Sequence, residues 1–260
     1  MNKILRILVA LVPVTLSLAL CLILIAQTES ADSFDTPLKT TVLDFGPPPD
    51  FLGGDDPIKV SCYFYPTFVV KEYDAGSIAS QWHEIIPVKK GAIPACTRKD
   101  GTGKMIVDSA GGYFRGVKGN LIFINAYDGF DGEFGFSVHD AATGRKIFED
   151  AIHEPFTSEE KLALSPFDRF RFAATQDGRL YLRYLRIAGA GCDLHFERAP
   201  CWEKARKILG LASAQMPACG GNDDASYRVP SVIAYPVEVN LFPHPTIKPI
   251  DGPVRCWPED

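Results

Sequence analysis

The chain has no surplus of positive charge, no G-x-S-x-G, no P-loop or dinucleotide fingerprint, no C-x₂-C or H-x₃-H spacing and no strict repeat of 20 to 50 residues. Each absence removes a class. Lysine plus arginine number 27 against 32 aspartate plus glutamate, a net of −5. Without residues 1–31, which hold Lys3, Arg6 and Glu29, 25 cations face 31 anions, about −6. A nucleic-acid partner wants a basic stripe, so none is expected, and mild acidity chiefly favours solubility. The missing metal spacings argue against a zinc site, and no cofactor is expected. Without the serine elbow the common hydrolase nucleophile is missing, and no repeat is strict enough for a propeller to be expected.

What is present begins with Met1-Asn2-Lys3-Ile4-Leu5-Arg6 and an uncharged apolar run, Ile7 to Ala26. A positive start followed by such a run is an export signal and stands outside the fold. Small residues at Ser30 and Ala31 place cleavage near Ala31. The run is also close to the roughly 20 residues that span a bilayer, so an uncleaved membrane anchor is the alternative. Leu20 before Cys21 is too large for lipoprotein-type processing.

Six cysteines remain after residue 31: Cys62, Cys96, Cys192, Cys201, Cys219 and Cys256. An even number in an exported chain implies disulfides. Sequence leaves 15 pairings, among which Cys192 with Cys201 is favoured, because nine residues join a strand end to a helix start.

Three regions follow: the signal or anchor over 1–31, a Pro/Gly-rich linker or arm over 32–57, and a β-rich domain over 58–260. Gly46-Pro47-Pro48-Pro49-Asp50 and Gly53-Gly54-Asp55-Asp56-Pro57 propagate neither helix nor central strand. From Lys59 to Tyr65 apolar residues alternate with others, and the centre reads as three hairpins. They are Asn120 to Tyr127 with Glu133 to His139, then a turn at Asp140 to Gly144 into Arg145 to Phe148, then Arg169 to Ala174 with Arg179 to Arg186. In the last strand Leu180, Leu182, Tyr184 and Ile187 are expected inside, Arg183 and Arg186 outside. One packed helix near residues 200–209 starts at Pro200 and stops at Gly210, with Cys201, Trp202, Ala205, Ile208 and Leu209 inward. Thr157-Ser158-Glu159-Glu160 opens a shorter helical turn, and Val232 to Leu241 makes the last strand before a tail held by Cys256. The fold class is therefore mainly β, an antiparallel meander or sandwich-like domain.

The candidate ligand site is the loop Tyr127, Asp128, Phe130, Asp131 and Glu133, in which rings and carboxylates alternate with glycine. Such a loop offers an aromatic platform beside hydrogen-bond acceptors, although turns need the same residues. Its spacing does not match a calcium loop. His83, His139, His153, His195 and His244 are scattered, and no triad can be assembled from them by spacing. Gly111 to Gly119 carries Arg115 and Lys118 and is better explained as a bulged strand than as an anion cradle. Trp202 and Trp257 are expected in the core or beside disulfides.

These features lead to a non-enzymatic, extracytoplasmic binding or interaction protein, periplasmic or secreted, whose ligand is an envelope or extracellular protein or glycan. The competing classes are a hydrolase using a carboxylate pair from Asp128, Asp131, Glu133 and Asp140, and an inhibitor of a hydrolase.

Overall fold

The structure, a computed structural model, describes residues 33–47, 56–76, 80–89, 92–98, 103–106, 112–125, 133–153, 170–174, 180–219 and 229–258. Residues 1–31, the loop 126–132 and the segment Thr157 to Glu160 lie outside them. Strands β1 (Lys39–Asp44), β2 (Lys59–Phe64), β3 (Phe68–Asp74), β4 (Ser80–Pro87) and β5 (Lys104–Met105) form an antiparallel sheet in that order. In β2 the residues Val60, Cys62 and Phe64 are buried while Lys59, Ser61 and Tyr63 are half-buried. That period of two is the pleat of a strand.

The second sheet holds β6 (Tyr113–Lys118), β7 (Leu121–Asn125), β8 (Glu133–Asp140), β9 (Lys146–His153), β10 (Arg171–Ala174), β11 (Leu180–Gly189), β12 (Ser231–Asn240), β13 (Thr246–Pro249) and β14 (Arg255–Pro258). Its order is β13-β12-β11-β9-β8-β7-β6, with β10 on the first part of β11 and β14 on the first part of β12. The expected hairpins are all present as antiparallel pairs. The middle one turns because Asp140 accepts from the backbone and hydroxyl of Thr143 at 2.8 and 2.7 Å, while Gly144 takes the left-handed φ of 73°. Pro236 lies in β12 where its outer partner changes from β14 to β13, a break in pairing that suits a residue without an N–H.

All five residues of β7 are buried, and the reason is layering. Ile122 and Ile124 face a core shared with Phe68, Val70 and Ile85 of the first sheet. Leu121 and Phe123 face a second core with Phe136, Phe172, Tyr235 and the helical residues Cys201, Trp202 and Ala205. A strand covered on both faces reads as a continuous apolar run.

Helix α1 (Leu194–Glu197) is capped by Asp193, which accepts from the N–H groups of His195 and Phe196. Helix α2 (Ala199–Leu209) has Pro200 in its first turn and ends at Gly210, φ 69°. Two side-chain placements differ from the sequence expectation, and α1 is a second helix beside the one expected. Ile208 is 68 % exposed, because at 3.6 residues per turn it falls about 20° outside the arc from Cys201 to Trp202. Arg186 shares the inner face of β11 with Leu182 and Tyr184, since the strand is covered on both sides at this point and Ile187 is buried on the other face.

The described residues before Ile58, 33–47 and 56–57, belong to the same unit, which begins at Ser33. Asp35 bridges to Val117 on the edge of the second sheet, and β1 then pairs along β2 on the edge of the first. The cystines are Cys62–Cys96, Cys192–Cys201 and Cys219–Cys256, with Cα separations of 5.9, 5.8 and 4.7 Å. Three such bridges mark an oxidising, extracytoplasmic environment. Among the described residues no helix is long and apolar enough to cross a membrane.

Candidate functional site

Of the residues expected to bind ligand, Tyr127, Asp128, Phe130 and Asp131 lie outside the described residues, and Glu133 is described only as backbone, opposite His153 at the start of β8. Asp140 is committed to its turn: besides Thr143, it accepts from the Asn120 amide at 2.9 Å. Three of the histidines are buried, each against a different neighbour. His83 lies 3.3 Å from Glu72, His139 lies 2.9 Å from the Ser137 hydroxyl, and His153 packs on Trp257. Trp202 is buried in the core next to the Cys201 bridge, and Trp257 follows Cys256. Among the described residues, no three His, Cys, Asp or Glu side chains converge as a metal set.

A better-formed site lies where the arm crosses from one sheet to the other. Phe34, Asp35, Thr36, Pro37, Thr40, Tyr63, Tyr65, Phe114, Arg115 and Gly116 line a cleft of about 390 Å³. Its construction is local and physical. The pairing of β6 with β7 shifts register between Phe114 and Gly116, which makes Arg115 the extra residue of a bulge. Bulges re-aim side chains, and this one puts an exposed guanidinium on the rim. Gly116 is required for a different reason: a Cβ there would come within 2.6 Å of the Phe34 ring. Phe34 therefore packs over bare backbone and joins the aromatic core against Phe123 and Phe172, both at 5.2 Å.

Alternation in β2 and the residue that follows it sends Tyr63 and Tyr65 to the same face. The Tyr63 and Phe114 rings lie tilted on one another, centroids 4.4 Å apart, and Tyr65 packs on Phe68. Beneath them Glu72, almost fully buried, links the two sheets. Its Oε1 accepts from the Phe114 N–H at 2.8 Å and lies 3.3 Å from His83 Nε2, and its Oε2 accepts from the Tyr63 hydroxyl at 3.3 Å. A buried carboxylate must be satisfied in this way, and here the satisfaction fixes the wall of the cleft. Burial first, and then the Glu72 charge, push the Tyr63 phenol up to about 12. Burial also raises Tyr65. At neutral pH both phenols are neutral, so the rings present apolar faces with hydroxyl tips.

A second polar cluster is structural in character. Arg186 donates from Nε to Asp150 at 2.8 Å and from Nη1 to the Tyr235 hydroxyl at 2.8 Å, and the Tyr184 hydroxyl donates to the same Asp150. This network joins β9, β11 and β12 across the inner face. Tyr235 also lines a cavity of about 380 Å³ with Leu211, Pro236, Pro249, Asp251 and Val254.

No protein-family model, no curated protein and no solved structure matches this chain. The geometry alone carries the functional argument. Sequence reasoning missed Phe34, Tyr63, Tyr65 and Phe114 as a group. The signals were the alternation through Tyr65 and the glycine-dense bulge with its two cations, but nothing in a linear pattern brings residues 34, 63 and 114 together.

Proposed function

We propose that this chain is an extracytoplasmic binding or interaction protein, exported by its N-terminal segment to the periplasm or beyond, and that its ligand sits in the cleft between the arm, β2 and β6. The supporting observation is the cleft itself, which combines about 390 Å³ of space, four aromatic side chains, one guanidinium and the hydroxyls of Thr36 and Thr40. Small-ligand and side-chain sites have this composition, mostly apolar with a few convergent polar groups, and this range of volume. The Glu72 clamp holds the walls in advance of binding, which lowers the ordering cost that a ligand must overcome.

The test is Thr40→Trp. Thr40 is an exposed residue of an edge strand, so a bulky aromatic there fits strand preferences and fills the cleft mouth without disturbing the core. Parent and variant are compared for retention on peptidoglycan fragments, envelope polysaccharides and peptide mixtures, with melting measured alongside. The parent retains at least one class and the variant loses it tenfold or more. A parent that retains none, or a folded variant that retains all, removes the cleft from consideration.

A further inference from the structure

A second site lies at the C-terminal end of α2, in the cavity of about 380 Å³ that shares no residue with the cleft. We infer that this cavity receives an organic cation, an ammonium group on a short aliphatic or alicyclic body, with Asp251 as its counter-charge and Leu211, Pro236, Pro249 and Val254 around its carbons.

The first observation is that both walls are fixed. On one side the outer partner of β12 changes from β14 at Ala234 to β13 at Val237, so residues 250–254 leave the ladder and turn over Pro236. Ile250 N–H donates to Pro236 O at 3.0 Å, and Gly252 sits so close that a Cβ on it would stand 2.6 Å from Pro236 Cγ. On the other side α2 stops at Gly210, Leu211 N–H donates to Arg206 O at 2.8 Å, and the Trp202 indole N–H holds Ala214 O. A space of this volume between ordered walls is in the range of small-ligand sites.

The second observation is the sign of the charge. Asp251 is the one carboxylate of the lining, and no lysine, arginine or histidine accompanies it. Among the described residues no ion pair or hydrogen bond engages that carboxylate. The other polar tips are already bonded, Tyr235 to Arg186 at 2.8 Å and Ser213 to Gln215 O at 3.4 Å. Nearby cations are spent elsewhere. Arg206 donates to Glu203 at 2.8 Å and Lys204 to Gly191 O at 3.1 Å, Lys248 stands opposite Glu238 in the ladder, and Arg255 is itself engaged. Lys207 lies on the exposed side of α2, away from Trp202 and Ala205. The last carbonyls of α2 add partial negative charge at Gly210.

The third observation separates an organic cation from other ligands. A bare metal ion wants several oxygen side chains, and among the described residues no three His, Cys, Asp or Glu converge. An anion meets Asp251 and the negative end of α2 with the wrong sign. An ammonium on a carbon body uses both halves of the lining: its N–H groups serve the carboxylate, and its carbons displace water from the leucine, valine and proline surfaces.

The ammonium has two sources, a free amine or a lysine within a chain, and the experiment distinguishes them. The full chain, isotope-labelled on leucine and valine methyl groups, is titrated at neutral pH with cyclohexylamine, n-pentylamine and Nα-acetyl-lysine methylamide. Cyclohexanol and cyclohexanecarboxylate are the neutral and anionic counterparts. The amines are expected to shift the Leu211 and Val254 methyl resonances and to bind about tenfold more tightly than cyclohexanol, with the carboxylate weaker still. Nα-acetyl-lysine methylamide binding as well as n-pentylamine assigns the site to lysine side chains, and its rejection assigns the site to free amines. Asp251 is exposed on a turn, so Asp251→Asn is expected to melt like the parent and to bind the amines about tenfold more weakly, while Asp251→Glu retains them. Ala212→Trp, which fills the mouth from an exposed position, abolishes the shifts. Amines that leave Leu211 and Val254 unmoved, that bind no better than cyclohexanol, or that bind Asp251→Asn as well as the parent overturn the inference. Thr40→Trp leaves amine binding unchanged and Asp251→Asn leaves retention by the cleft unchanged, so the two sites stand or fall separately.

Discussion

Glu72 is an acid in the middle of a strand, and its neighbours explain why it is tolerated there. A phenol, a backbone N–H and an imidazole surround its two oxygens, and together they hold β3 against β6. Burial first, and then the charge of Glu72, set how Tyr63 titrates. Its phenol stands at about 12 in the folded protein, against 10.0 when unperturbed. Below pH 10 folded and unfolded chains both keep the proton. Between about 10 and 12 the unfolded chain loses it first, so the contribution of Tyr63 to stability is complete below pH 10 and is lost as the pH rises through the folded value. Phenolate absorbance of the parent minus that of Tyr63→Phe is therefore expected to show one group titrating near 12, and Tyr63→Phe is expected to lose less stability than the parent across that window. A difference curve centred at 10 contradicts the burial of Tyr63 beside Glu72.

Among the elements, α2 makes the sharpest case. Trp202 is 2 % exposed, packs in the larger core, and donates from its indole N–H to Ala214 O at 3.3 Å. Trp202→Ala is expected to cost roughly 3 to 5 kcal/mol, from lost burial and the cavity left behind, and denaturant unfolding measures it. A change below about 1 kcal/mol is incompatible with that packing. The helix was legible in sequence because Pro200 and Gly210 punctuate it, and the hairpins because Asp140 to Gly144 is turn chemistry between strand patterns. Ile208 was misplaced because spacing defines an arc but not its rim. Arg186 was misplaced because strand alternation holds only where one face is wet, and β11 is covered on both. The cleft was illegible for a stronger reason. Its walls come from Phe34, Tyr63 and Phe114, and the bridge from Asp35 to Val117 that unites them is a long-range pairing with no periodic trace.

For the whole molecule the cystines provide a direct measurement. Six of the seven cysteines are paired, which leaves Cys21 in the N-terminal segment. Thiol titration under denaturing, non-reducing conditions is expected to give zero per chain if that segment has been cleaved near Ala31, and one if it is retained as an anchor. Two or more contradict the pairing described. The bridges Cys62–Cys96 and Cys219–Cys256 span 34 and 37 residues, and Cys192–Cys201 spans nine. Loop-closure entropy therefore assigns about 4 kcal/mol to each long bridge and about 3 to the short one.

The arm that crosses between the sheets has a mechanical consequence. Tension applied to the backbone ahead of Ser33 meets Phe34, the contacts of Asp35 with Val117, Lys118 and Gly119, and the β1–β2 ladder before it meets any cystine, since the first disulfide-bonded residue is Cys62. The segment that lines the cleft is then the first to take up the load, and the cystines restrain only the loops 62–96, 192–201 and 219–256. A pull from that end therefore strains the lining of the cleft before it reaches the first cystine, so the shape of the cleft follows the tension on the chain ahead of it.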